Sequence, residues 1–459
     1  MILSAGDTVE ITVGDVAQGG WCVARPADGP VLFVRHALPG ERVRARVTEV
    51  TSRFARAEAI QILNPSPERI EAPCPSARPD GCGGCDWQHA SLRFQRALKA
   101  SVVAQQLRRL AGIETEVTVE PLPGDEDQPG DEDEPDSDNS NKPQAGLGWR
   151  TRMQFAVRPD GRAGLRAHRS HEVIDIGDCL IAHPAIRDLG LGDLSWRGAE
   201  TVEAITSGDE RAVVVTRRSP GGGAGAAIRS GEKEPEGMTA VAAEAVLSRA
   251  GRRLAPVRGR PYLRQRAAGR EWRVSAGAFW QVHPAAADTL TEAVVAALKP
   301  EPGDVVLDLY CGAGLFAGAL APIVGSGGAV VAIESDDVAV RDARHNLRDT
   351  PWARVHRGDV ARVLRRAGGP DGAGWSGKYS LPSATLAVAD PPRAGLARSV
   401  VDDLSSGEAR RFAYVSCDPA TLARDLGLLL ARGWNLEGLR AFDAFPMTHH
   451  VECVASLCR

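Results

Sequence analysis

Residues 305–318, VVLDLYCGAGLFAG, limit the fold more than any other stretch of this 459-residue chain. A β-branched, apolar run carries Asp308, turns through Gly312 and Gly314, and resumes as the small apolar start of a helix, the pattern of a β-turn-α unit that binds nucleotide-like ligands. Glycine lets the backbone bend tightly and approach a ligand, and the helix start that follows offers unpaired N–H groups. A second short strand, GGAVVAI, leads to Glu334, 26 positions beyond Asp308, where such folds hold ribose hydroxyls. ARVHRGD closes on Asp359 and TLAVAD on Asp390, just before Pro391 and Pro392. Four acids at strand ends predict the carboxyl edge of one parallel sheet, the rim on which open α/β folds bind ligands.

No P-loop Lys follows the glycines, which argues against a nucleoside triphosphate. An adenosine-bearing cofactor without phosphates, S-adenosylmethionine, suits the acids better. A Gly-rich turn in an ordinary α/β sheet is the competing reading.

The chain is long enough for more than one domain, and 43% hydrophobic composition supports sizeable cores. No apolar run approaches the roughly 20 residues of a membrane span, and MILSAGDTVE lacks a charged signal-peptide pattern, so a cytoplasmic location and no membrane partner are expected. Nine irregularly spaced cysteines then point to metal or catalysis rather than to disulfides. The net charge of −4 misleads, because residues 124–138 alone carry nine Asp or Glu and no Lys or Arg, leaving 55 basic against 50 acidic residues elsewhere. A mildly basic folded part permits RNA as a partner.

Residues 1–63 alternate polar and apolar between glycine and proline breaks, which predicts a small β-barrel. Arg25, Arg35, Arg42, Arg44 and Arg46 can track phosphates there or form an ordinary solvated face. GDVAQGGWCVAR and FVRHALPGERVRARV resemble the TRAM domain, an RNA-binding module of RNA-modifying enzymes. CPSARPDGCGGCDWQH then supplies Cys74, Cys82 and Cys85, with Cys179 as a distant fourth thiol. Four thiolates suit zinc or an iron–sulfur cluster, and spacing does not separate the two. Residues 89–112 read as an amphipathic helix with Arg and Lys on its polar face, and the acidic stretch 124–145 as disordered. The remainder of 64–270 reads as β-rich and arginine-rich, with a Gly-rich flexible excursion at 218–237. Residues 271–459 form the catalytic domain, entered past Gln281, whose amide can grip a carboxylate or ribose or simply face solvent.

Near the C-terminus, FAYVSCDPATLARDL sets Cys417 at a strand end before a helix, where the helix start is expected to favour its thiolate; a buried structural cysteine is the plainer reading. FPMTHHVECVASLCR sets Glu452 at the start of the last strand, where a carboxylate can act as a base. Cys22, Cys311, Cys453 and Cys458 read as structural.

These motifs, DLYCGAGLF, DPPRAG, YVSCDPATLARDL and FPMTHHVECVA with the cysteines ahead of them, resemble the RNA 5-methyluridine methyltransferases, which use S-adenosylmethionine and carry a four-iron four-sulfur cluster. The likeness runs from the barrel to the last strand. It implies a Rossmann-like class I methyltransferase domain at the C-terminus, a TRAM/OB-like barrel at the N-terminus and a β-rich domain between them. It also implies Cys417 as nucleophile and Glu452 as proton-abstracting base, with Gln281, Tyr310, Gly312, Gly314, Leu315, Glu334, Asp359 and Asp390 at the cofactor. Cys74, Cys82, Cys85 and Cys179 fall on the cluster ligands, with zinc as the alternative metal. The expected substrate is RNA, ribosomal before transfer RNA, for a monomeric enzyme. Seven residues separate Cys74 from Cys82, a longer loop than the family usually has, and the acidic insertion is foreign to its pattern. Two rivals remain. An amino-group methyltransferase needs no thiol and usually places an aromatic residue where this chain has Arg393. A non-catalytic RNA-binding protein has no need of both Cys417 and Glu452.

Overall fold

A computed structural model describes residues 3–26, 29–126, 145–217, 234–251, 253–367 and 383–459. The acidic stretch lies outside these residues except at its ends, as does most of the Gly-rich excursion.

The catalytic sheet has eight strands, in the order Ala353–Arg357, Ala329–Glu334, Val305–Leu309, Leu386–Ala389, Arg411–Ser416, Glu452–Cys458, Asn435–Asp443 and Val119–Pro121. The first five run parallel, and Glu452–Cys458 is antiparallel to both of its neighbours. The parallel strands Val305–Leu309 and Leu386–Ala389 are apolar almost throughout because helices cover both of their faces, leaving no side for water. Helix Leu315–Val324 starts at Gly314 (φ 92°), and helix Pro419–Leu430 is capped by Asp418, which accepts from Thr421 N at 2.8 Å, with Pro419 in its first turn.

The N-terminal six-stranded sheet runs from Thr8–Thr12 through Arg42–Val50, Phe54–Asn64, Val31–Arg35 and Trp21–Ala24 to Val16–Ala17. Its core is built from small and β-branched residues such as Val34, Val43, Ala45 and Ala57. The central sheet has seven strands, in the order Val173–Ile174, Ala163–Arg166, Arg152–Val157, Ala199–Ser207, Glu210–Arg217, Ala245–Ala250 and Arg253–Arg258.

The boundary expected at 270/271 falls just inside the second strand of a hairpin, Tyr262–Ala267 with Arg270–Ser275. That hairpin bridges the two cores, because Leu263 packs with the central sheet while Trp272 and Val274 pack with the catalytic one. The edge strand Val119–Pro121, from the stretch assigned to the central part, pairs in parallel with Asn435–Asp443. One expectation is corrected in part: helix Leu92–Gln106 leaves Arg93 exposed, but its other cations do not face water. Lys99 is fully buried and Arg96 nearly so, because the helix packs against the catalytic domain. Lys99 Nζ pairs with Asp443 and donates to Phe445 O at 3.0 Å. Among the described residues no helix is long and apolar enough to cross a membrane.

Candidate active site

Cys417 follows the last residue of strand Arg411–Ser416. That strand pairs antiparallel with Glu452–Cys458 in the register Ser416 to Cys453, so one further step sets Cys417 opposite Glu452. Parallel pairing of Leu386–Ala389 with Arg411–Ser416 brings Asp390 to the same edge. The groups feel one another. Burial, then the Glu452 and Asp390 carboxylates, push the Cys417 thiol up to about 12, with the Arg393 guanidinium opposing. Burial and Asp390 likewise raise Glu452 well above the usual carboxylate range, again against Arg393. Asp390 is pushed up to about 7 by burial. The expected thiolate-favouring helix start is therefore outweighed. Three buried or half-buried acidic groups crowd one edge, and in the free protein Cys417 holds its proton.

Of the eight residues expected at the cofactor, several gather at the glycine turn. Gly312 N donates to Glu334 Oε2 at 3.1 Å, and Glu334 Oε1 accepts from Ser335 N at 2.6 Å and Asp336 N at 2.8 Å. Glu334 thus ties the turn to the neighbouring strand end. Tyr310 adopts a left-handed backbone (φ 64°) between strand and turn, and burial pushes its phenol up to about 12. Gly314 lies against Ala343, where an added Cβ would sit 3.4 Å from its methyl, and Leu315 opens the helix, buried. Asp359 instead heads the helix Val360–Ala367, accepting from Arg362 N at 2.9 Å. Gln281 lies on the loop after Arg270–Ser275, held where Thr151 donates through N and Oγ1 to Val282 O, both at 2.8 Å. Asp308 is not on the open rim as expected. It is fully buried, its Oδ2 accepts from Ala317 N at 2.8 Å, and burial lifts it to about 7.

The four cysteines Cys74, Cys82, Cys85 and Cys179 line one cavity of about 470 Å³ with Arg150 and His168. Their sulfurs meet donors: Gly84 N reaches Cys82 Sγ at 3.4 Å and Gln88 Nε2 reaches Cys85 Sγ at 3.1 Å, while Gln88 Oε1 accepts from Cys74 N at 3.0 Å. Burial pushes the Cys179 thiol up to about 11, with the backbone N–H groups of Ala182 and Ile181 opposing. Gly83 is needed, since a Cβ there would lie 2.6 Å from the His168 backbone. Among the described residues no group of three or more His, Cys, Asp or Glu is drawn tightly enough together for a metal ion.

Sequence reasoning missed the partners that frame Cys417. A cavity of about 70 Å³ beside it is lined by Arg393, Asp418, His449 and His450 and also by Gln18, Gly19 and Gly20 of the barrel. His449 Nδ1 contacts Asp86 Oδ2 at 2.6 Å, and its N donates to the same oxygen at 3.1 Å. Arg393 Nη2 lies 3.3 Å from His450 Nε2. A His-His pair before the base was legible; a partner more than 360 positions away, next to a cysteine loop, was not. The barrel arginines are also largely engaged within the protein. Arg35 is buried against Glu58 and Asp86, Arg42 and Arg44 pair with Glu10, and Arg46 pairs with Asp80.

The TRAM domain family model matches residues 4–60, and that of tRNA (Uracil-5-)-methyltransferase matches residues 379–459. The model of protein-L-isoaspartate(D-aspartate) O-methyltransferase matches residues 281–369, the half with the glycine turn. An uncharacterized RNA methyltransferase of Streptomyces coelicolor is 50% identical over 98% of this chain and 93% of its own. The 23S rRNA (uracil(1939)-C(5))-methyltransferase RlmD of Pseudomonas putida is 32% identical over 93% of this chain and 89% of its own. Among solved structures, the Pyrococcus abyssi tRNA (uracil-54, C5)-methyltransferase in complex with S-adenosyl-L-homocysteine shares the fold at a TM-score of 0.69 and 21% identity, over 98% of this chain and 99% of that one. With its barrel, its class I sheet and full-length relatives of this kind, the chain belongs to the family of RNA uracil-C5 methyltransferases.

Proposed function

We propose that this protein transfers a methyl group from S-adenosylmethionine to carbon 5 of a uridine in RNA, with Cys417 as nucleophile and Glu452 as base. One observation carries the reading: a thiol at a strand end faces a buried carboxylate one register step away on the antiparallel neighbour, on the sheet edge that bears the glycine turn. Carbon 5 of uracil is a poor nucleophile. As the Cys417 thiol gives up its proton to solvent, Sγ bonds to carbon 6 and pushes the pair of the C5–C6 double bond onto carbon 5, which takes the methyl. Bound S-adenosylmethionine supplies an electrophilic methyl on a sulfonium. Gln281, Tyr310, Gly312, Gly314, Leu315, Glu334, Asp359 and Asp390 are the residues we assign to holding it, a task of positioning. Glu452 then takes the proton from carbon 5, and the S–C6 bond breaks to return Cys417. The Arg393 charge favours the ionised form of both Cys417 and Glu452. Base pairing hides carbon 6, so the target uridine is unpaired or flipped out.

Ribosomal RNA is the substrate we favour, supported by the name of the Pseudomonas putida relative. To test both parts, the protein is incubated with S-adenosylmethionine and either 23S rRNA or tRNA transcripts, and products are mapped by mass spectrometry. The account expects 5-methyluridine in the 23S transcript. Methylation on a base nitrogen would overturn the chemistry, and 5-methyluridine in tRNA alone would overturn the substrate.

We also propose a four-iron four-sulfur cluster on Cys74, Cys82, Cys85 and Cys179. In support, the four thiols share one cavity, N–H donors reach the sulfurs of Cys82 and Cys85, and the cationic Arg150 lies among them. Hydrogen bonds to sulfur and nearby positive charge both stabilise thiolate ligands. Such a group would staple the 74–85 loop to the central sheet.

A further inference from the structure

The turn at residues 18–20 belongs to the barrel, yet it is built into the catalytic pocket. Gly19 and Gly20 have φ of 92° and 81°. A Cβ on Gly20 would lie 3.0 Å from His449 Cβ and 3.3 Å from Asp86 Cβ, so the barrel backbone rests directly on the loop ahead of Glu452. Trp87 Nε1 holds the turn by donating to Gly20 O at 3.2 Å. The close approach carries Gln18 to the cavity that Cys417, Arg393, His449 and His450 line.

Hydrogen-bond chemistry fixes which way the Gln18 amide faces. Its Nε2 donates to Asp418 Oδ2 at 2.8 Å, and a carboxylate can only accept, so nitrogen must stand on that side. Asp418 is itself immobilised, because its other oxygen caps the helix Pro419–Leu430. The remaining atom, Gln18 Oε1, is buried and accepts no hydrogen bond from the protein. Buried amide oxygens without a donor are rare, and one held beside a nucleophile invites a ligand donor to complete it.

We propose that Gln18 accepts a hydrogen bond through Oε1 from the target nucleotide, and so positions it over Cys417. This rests on the uracil-C5 reading above, and on uridine that chemistry leaves two donors, the N3–H of the ring and the ribose 2′-hydroxyl. The barrel then does more than hold RNA at a distance, since one of its side chains helps build the pocket for the reacting base.

The test uses a synthetic RNA stem–loop around the uridine mapped as above, made with uridine, N3-methyluridine or 2′-deoxyuridine at that position. The parent protein is expected to lose about tenfold or more in kcat/KM on the form that lacks the relevant donor. Gln18→Met is expected to lose a similar factor on the uridine form and nothing further on that analogue, with its affinity for S-adenosylmethionine unchanged. The analogue that behaves so tells the ring donor from the ribose donor. Parent activity indifferent to both analogues would overturn the proposal without any variant. So would Gln18→Met with parental kcat/KM, or with both analogue penalties undiminished, since Gln18 would then act only through Asp418. Failure of the parent to methylate the uridine form would overturn the uracil-C5 reading and this inference with it.

Discussion

In the function proposed above, Cys417 is a nucleophile held in reserve. Burial and the carboxylates of Glu452 and Asp390 keep its proton on, and Arg393 is the charge that opposes them. With the thiol pushed up to about 12, its thiolate fraction in the free protein grows tenfold per pH unit across the ordinary working range. Alkylation of Cys417 by iodoacetamide, followed by peptide mass spectrometry, is therefore expected to accelerate about tenfold per unit from pH 7 to 9 without a plateau. A plateau near pH 7 would mean that the thiol is already ionised. Arg393→Met removes the opposing charge and is expected to slow alkylation at pH 8 further, whereas an unchanged rate would assign Arg393 to RNA alone. The strand end before Cys417 was legible in YVSCDP, but its ionisation was not. Two of the charges that set it, Glu452 and Asp390, reach it from other strands, and the sign of their sum follows from burial.

Helix Leu92–Gln106 shows how an element can be read correctly while two of its cations are misplaced. Its existence and approximate ends follow from the sequence, with Ser91 as the cap accepting from Phe94 N at 3.3 Å. The buried Lys99 does not, because its partner Asp443 is 344 positions away. Gln95 is also buried, and its Oε1 accepts from Met447 N at 2.8 Å, in the loop that leads to Glu452. Lys99→Met leaves the Asp443 carboxylate buried without its cation, so chemical denaturation is expected to show a loss of about 3–5 kcal/mol. A loss under about 1 kcal/mol would mean that the pair is solvated. Gly318, within the glycine-turn helix, offers a second test: a Cβ there would fall 2.3 Å from Trp272 Cη2. Gly318→Ala is expected to cost about 1–3 kcal/mol by overpacking. Nothing in GLFAG itself marks that glycine, since the ring that forbids a side chain comes from the neighbouring hairpin.

At the scale of the whole molecule, the sheet and the order of its parts were legible because period and glycine punctuation are local. The seams were not. The strand Val119–Pro121 extends the catalytic sheet, the hairpin at 262–275 serves two cores, and the barrel turn docks beside Cys417. The cysteine loop joins the same framework, because Asp86 beside Cys85 anchors His449. If the four thiols carry a cluster, anaerobic preparations are expected to be brown with about four irons per chain, and Cys82→Ser or Cys179→Ser to lose that iron; stoichiometric zinc without iron would contradict the assignment. The central claim is that a thiol at 417 adds to the uracil ring and a carboxylate at 452 releases it. The most direct measurement incubates the protein, S-adenosylmethionine and RNA bearing 5-fluorouridine at the target, and looks for a denaturation-resistant protein–RNA band. Fluorine cannot leave as the proton does, so the account predicts a stable adduct with the parent protein and none with Cys417→Ala. An adduct that forms equally well in Cys417→Ala would contradict it.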